Sequence, residues 1–397
     1  MAVIDIPSWP RFEEDEIASA VRVLESGHVN QWSGPDVADF ESKWRTLSGS
    51  CHAFAMANGT VTLEAALRAL QLDARAEVIV PARTHVASGM AVVTAGASPV
   101  FADVDPLTGC VRVETLEAAR TSHTAAVIVV HIGGWVADVV AIQAWAKEHG
   151  IAIIEDAAQA HGATRQDATG QRRWAGTFGQ FGSWSFCQDK IVSTGGEGGM
   201  LCVADPELAD RVWSLRDHGR CRHQVESHVP NNHFAWTADS IGSNLRMTCM
   251  QAAIGHAQLK KLDGWIDTRS RNATIMTEAL SDIEWLEFPV CEQGHNPAWY
   301  RVYAMVRSDV KNAGGRRDDV LHSAAEIGIP IGVGSCPEIY LEAALRPWAP
   351  RDRCVNAQSL GDRCLCFQCH HLITPTMMQA FADCIVEVCR ARDTKQD

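Results

Sequence analysis

Four short apolar runs, each followed by a helix-length stretch, limit what this chain can fold into. They are EVIVP (residues 77–81), PVFAD (99–103), AAVIVVH (125–131) and IAIIED (151–156). A strand with one wet face alternates apolar and polar residues. These runs are nearly continuous, as strands covered on both faces are. Between them, residues 62–72, 86–95 and 139–149 read as helices, and further strands are expected at 181–187 and 200–204. This βαβα order predicts an α/β fold with a mainly parallel, seven-stranded-type sheet between helices. Ligands in such sheets bind beyond the carboxyl ends of the strands.

With 397 residues, the chain is too long for one simple core, so a large and a small domain are expected. Helices are predicted at 248–263, 265–280, 318–326 and 376–392, and strands at 299–306, 329–333 and 364–368. The expected division is an arm at 1–15, a large domain at 16–265 and a smaller α+β domain at 266–397.

The net charge of −13 argues against nucleic acid or an anionic membrane as the main partner. No apolar run approaches the ~18–20 residues that cross a bilayer. The N-terminal MAVIDIPSWPRFEEDE has no basic region followed by an apolar one. The expectation is a cytoplasmic protein whose fourteen cysteines are mostly free thiols. One cluster, Cys364, Cys366, Cys369, His370 and His371, contains the C-x-x-C-H spacing of covalent haem attachment. Haem attachment would require export, and structural zinc would want a second ligand pair. A buried strand with free thiols is the plainer reading, and no metal is expected.

The chemistry concentrates at strand ends. Asp156 closes an apolar strand, where a buried carboxylate needs a partner. A helix cap or a structural ion pair would serve, as would the protonated nitrogen of a pyridine ring. Lys190 follows the strand WSFCQ and precedes STGGEGG, so burial beside a ligand becomes tolerable if its amine is held as a Schiff base. Together they are what a pyridoxal phosphate (PLP) site needs. Asn58-Gly59-Thr60 precedes a helix, as an anion site or a simple turn and cap would. Ser185 can reach a phosphate, and Gln159 a ring oxygen. His85 is placed to stack on a flat ring or to serve the structure. His161 fits packing, and Asn244 lies in a loop before a helix.

That ordered set resembles the DegT/StrS-type family of PLP-dependent sugar aminotransferases of fold type I. The resemblance spans nearly the whole chain through MANGTVTLEAAL, VIVPARTHVAS, EDAAQAHGA, WSFCQDKIVSTGGEGGM, GSNLRMTCMQAAIGHAQL and GSCPEIY. It implies that Lys190 forms the Schiff base and moves protons, and that Asp156 pairs with the ring nitrogen. Gln159 should contact the ring oxygen and His85 should stack on the ring. Asn58, Gly59, Thr60, the amide of Val61 and Ser185 should cradle the phosphate. Asn244 should reach the phosphate of a neighbouring subunit across a homodimer interface. The implied reaction moves an amino group from L-glutamate, or L-glutamine, to a keto-sugar, in most relatives nucleotide-linked. Two positions depart from the family pattern: Arg83, often aromatic in relatives, and QCHHL, which replaces a proline-bearing segment.

Three rivals remain. Relatives that dehydrate sugars carry His in place of the lysine, so Lys190 opposes that reading. A keto-cyclitol or an aminobenzoate precursor as acceptor is not separated by these residues. A non-catalytic PLP-binding regulator would want a DNA-binding domain and a basic face, and neither is visible.

Overall fold

The four apolar runs become four adjacent strands of a seven-stranded sheet. Its order is His52–Met56, Gly199–Val203, Phe181–Ser185, Ala152–Asp156, Thr124–Val130, Glu77–Pro81 and Ser98–Ala102. The five strands from Phe181–Ser185 to Ser98–Ala102 run parallel. Gly199–Val203 runs against both its neighbours. The computed structural model describes residues 6–227 and 236–393.

The edge strand His52–Met56 was not expected. HAFAM is rich in alanine, and only pairing with Gly199–Val203 makes it a strand. The chain before it forms two helices, Glu14–Ser26 and Asp36–Ser48, which pack on helix Cys249–Leu259. The expected helix at 62–72 begins earlier, as Gly59–Ala69. A second sheet, also unexpected, joins His295–Asn296, Thr164–Gln166 and Arg172–Trp174.

Glu155 ties the parallel sheet to the chain that follows it. It is fully buried. Its Oε1 accepts the amides of Phe178 (2.6 Å) and Gly179 (2.7 Å), and its Oε2 accepts that of Gly176 (2.7 Å). His131 Nδ1 accepts the Ala137 amide at 3.2 Å, which leaves Nε2 to donate to Glu155 at 2.9 Å. Glu155→Ala would strand two buried amides, a half-buried one and one imidazole. We expect a loss of about 3–5 kcal/mol in denaturant unfolding. A loss below about 1 kcal/mol would mean that these donors find other acceptors.

A four-stranded antiparallel sheet orders Leu286–Glu287, Val302–Val306, Cys364–Phe367 and Ile331–Gly332. Helices Ala313–Glu326 and Pro375–Asp393 accompany it. Its apolar core is separate from that of the large sheet. Helix Leu262–Ala279 serves both: Leu262 lies in the first core, and Ala273 and Met276 in the second. A division at 265/266 therefore falls within a helix. We propose that the two cores define the domains and that this helix is shared.

Candidate active site

Two adjoining cavities open at the carboxyl ends of the parallel strands. The first, about 620 Å³, brings together Asn58, Gly59, Thr60, Val61, His85, Asp156, Gln159, Ser185 and Lys190. These are nine of the ten residues singled out from the sequence.

One end of this cavity is the start of helix Gly59–Ala69. A Cβ on Gly59 would sit 2.6 Å from the Cβ of Ser185, so only glycine lets the helix seat against the strand end. Thr62 Oγ1 and Ser183 Oγ lock that contact at 2.6 Å. The Thr60 and Ser185 side chains thereby share one wall. Asn58 caps the helix: its Oδ1 accepts the amides of Thr60 and Val61, both at 3.0 Å. The Val61 amide, expected to serve a phosphate, is thus already engaged by a side chain.

Asp156 is 7% exposed. Its Oδ2 accepts from Ser88 Oγ at 2.9 Å, and its Oδ1 accepts the Ala158 amide at 3.2 Å. Thr84 Oγ1 lies 3.0 Å from Ser88 Oγ and extends the chain. Among the described residues no cation pairs with this carboxylate, which leaves its charge for a ligand. Gln159 Oε1 accepts the Gly133 amide at 2.6 Å. That bond fixes the side-chain amide and leaves its NH₂ as the free donor.

Lys190 sits where the two cavities meet, and both are lined by it. Its Nζ is 3.5 Å from Asp189 Oδ2 and 5.1 Å from the centre of the Tyr300 ring. Burial alone would raise Asp189. The charge of Lys190 and the hydrogen bond from the Tyr300 hydroxyl outweigh it and hold the carboxyl below its ordinary range. The Lys190 carbonyl accepts from the Trp9 indole at 3.0 Å. The Trp9 ring meets His371 and Trp265 edge-on, at 4.6 and 5.8 Å. Behind the lysine loop, His161 packs against Phe186 and Trp44. Burial, then the charge of Lys190, pushes it down to about 3, so it stays neutral.

His85 caps helix Val86–Thr94, its Nδ1 accepting the Ala87 amide at 3.2 Å. Its exposed ring borders both cavities. Asn244 is the residue left out. It is exposed, lies outside this cavity and bridges to Asp217.

Ser88, Tyr300 and Trp9 had escaped notice. Ser88 carried a local signal, one helical turn beyond Thr84. The other two come from remote parts of the chain. Arg83 is buried and donates to Cys364 Sγ at 3.3 Å, while the Cys369 thiol donates to the Trp299 carbonyl at 2.9 Å. The clustered cysteines and histidines thus take separate partners, and His370 and His371 pack with Trp9.

The profile of the DegT/DnrJ/EryC1/StrS aminotransferase family matches residues 10–386. The chain belongs to this family. An aminotransferase structure from Psychrobacter cryohalolentis superposes with a TM-score of 0.93 at 37% identity, over 98% of this chain and 99% of that one. The L-glutamine:2-deoxy-scyllo-inosose aminotransferase of Streptomyces kanamyceticus is 34% identical over 83% of this chain and 77% of its own. The UDP-N-acetyl-3-dehydro-α-D-glucosamine 3-aminotransferase of Acidithiobacillus ferrooxidans is 37% identical over 69% of this chain and 70% of its own. In this member of the DegT/StrS group, Lys190 is the amine shared by the two cavities.

Proposed function

We propose that this aminotransferase holds PLP in the first cavity and moves an amino group from L-glutamate or L-glutamine to a nucleotide-linked keto-sugar. The observation that carries the reading is the pairing of Asp156, buried with no cation among the described residues, with Lys190 in one cavity. A carboxylate so placed fits a protonated ring nitrogen. The free NH₂ of Gln159 fits an oxygen on the ring. The phosphate falls to the hydroxyls of Thr60 and Ser185 at the helix start. The Val61 amide joins them only when Asn58 releases it. His85 supplies a ring at the cavity mouth for stacking.

Bound there, PLP would supply an aldehyde to take up nitrogen and an electron-withdrawing ring to stabilise charge at the donor's α-carbon. The protein's own part is proton handling and orientation. Lys190 Nζ, as the neutral amine freed from Asp189, would take the proton from the donor's α-carbon and pass it to the cofactor. Asp156 keeps the ring nitrogen protonated while Ser88 and the Ala158 amide hold its carboxylate still. In the second half-reaction Lys190 returns a proton to the carbon that receives the amine.

The reading includes a cytoplasmic homodimer. Asn244, exposed and outside its own cavity, is free to serve a partner's phosphate site. Exposed apolar side chains nearby, Ile241 (85%) and Trp236 (82%), support a covered surface there. All fourteen cysteines are free, in keeping with a reducing compartment, and among the described residues no helix is long and apolar enough to cross a membrane.

The similarity to the UDP-sugar enzyme supports a nucleotide-linked acceptor. The similarity to the scyllo-inosose enzyme supports a second acceptor class, a keto-cyclitol. Glutamate and glutamine, each labelled in the α-amino group, would be incubated with a panel of both ketone classes. Label in a nucleotide sugar is the expected result. Label only in the cyclitol would replace the acceptor class, and label in neither would overturn the reading.

A further inference from the structure

The second cavity, about 660 Å³, adjoins Lys190 and reaches to the small sheet. Two guanidinium groups, one in its wall and one buried behind it, meet at the Tyr300 carbonyl. Arg301 Nη1 donates to the Tyr300 carbonyl at 3.2 Å, and Arg269 Nη1 is shared between the same oxygen at 3.4 Å and the Trp299 carbonyl at 3.2 Å. Arg269 is completely buried, and its Nε and Nη2 have no hydrogen-bond partner among the described residues. Arg301 lines the cavity. No carboxylate among the described residues lies within ion-pair distance of either group. The cavity's own acids are otherwise placed: Asp189 is held by Lys190 and the Tyr300 hydroxyl, and Glu342 is exposed.

Two like charges on one carbonyl, with no counter-ion among the described residues, repel in a partly dry site. Burial, with Arg301 adding to it, pushes Arg269 down to about 10. An arriving anion would relieve this strain. The location selects the anion. The Arg301 guanidinium carbon is 4.5 Å from the centre of the Tyr300 ring, and Lys190 Nζ is 5.1 Å from the same centre. A group bound by Arg301 therefore lies within one side chain's reach of the reactive amine. An α-amino acid offers a carboxylate one bond from its reacting carbon, and guanidinium matches carboxylate in shape.

We infer that Arg301, backed by Arg269 through the Tyr300 carbonyl, is the subsite for a carboxylate of the amino donor. This rests on the aminotransferase reading of the Lys190 site. Arg301 contacts the ligand. Arg269 acts through Arg301 as a positioning residue and a fixed charge.

The test uses the PLP-loaded enzyme, the Arg301→Gln variant and the conservative Arg301→Lys variant. Donor and acceptor half-reactions are followed separately, and binding of glutarate, a dicarboxylate with no amine to react, is measured by calorimetry. Arg301→Gln should raise the donor KM by about 10- to 100-fold and weaken glutarate to a similar degree. The acceptor KM should hold within about twofold, as for a residue that touches only the donor. Arg301→Lys should recover part of the loss. An unchanged donor KM, or glutarate that does not bind the unaltered enzyme, would overturn the inference. A rise confined to the acceptor KM would overturn it in favour of an acceptor anion. If the unaltered enzyme shows no half-reaction with glutamate or glutamine, the parent reading fails instead.

Discussion

Replacing Lys190 with alanine should reduce turnover by at least ~10³-fold if, as proposed, one amine serves both to hold the cofactor and to move the proton. The fold should survive. Among the described residues, Lys190 makes one ion pair, with Asp189, and one ring contact, with Tyr300. Its backbone bond to Trp9 does not depend on its side chain. Arginine at this position would keep the charge beside Asp189 but cannot cycle a proton near neutral pH. Both variants should therefore be folded and inactive, and both should lose the visible absorbance of the PLP-loaded protein. A Lys190→Ala enzyme that turns over within about tenfold of the original would place the chemistry elsewhere.

The second large effect is at Asp156. Asparagine preserves shape: its oxygen can still accept the Ala158 amide, and its NH₂ can donate to Ser88. Only the charge is lost. With it would go the group proposed to keep the ring nitrogen protonated. We expect kcat to fall by about 10²- to 10³-fold with unfolding behaviour nearly unchanged. Because the charge acts on the reacting system, the loss should appear in both half-reactions alike. A fall in stability with normal kcat would return Asp156 to the structural role that its strand-end position equally allowed.

The two sites of these predictions were legible for a physical reason. Asp156 and Lys190 each close or follow a strand buried on both faces, and such strands write continuous apolar runs into the sequence. A charge at the end of such a run stands out. Asn58 and Gly59 were legible as an anion site or cap by their residue types. The structure shows the cap directly: Asn58 takes the amides of Thr60 and Val61, the second of which was expected to serve a phosphate.

The rest depended on contacts between distant segments. Tyr300 is 111 residues from Asp189, and nothing in WYRVY announces that its hydroxyl will meet that carboxylate. Arg269 and Arg301 lie on a helix and just ahead of a strand, and only packing brings both to one carbonyl. Strand His52–Met56 failed for the opposite reason: its alanines say little until Gly199–Val203 pairs with them. Strands expected at 299–306 and 329–333 shrink to Val302–Val306 and Ile331–Gly332. Trp299 takes a positive φ of 48°, which ends extended pairing on that side.

The central claim is that one lysine, at the meeting of two cavities, carries the cofactor. Borohydride reduction of the PLP-loaded protein, followed by peptide mapping, tests it without any assumption about substrate. The mass of the reduced cofactor is expected on Lys190 alone, and none on the Lys190→Ala variant. Label on a different lysine, or no label on a protein that binds PLP, would contradict the claim.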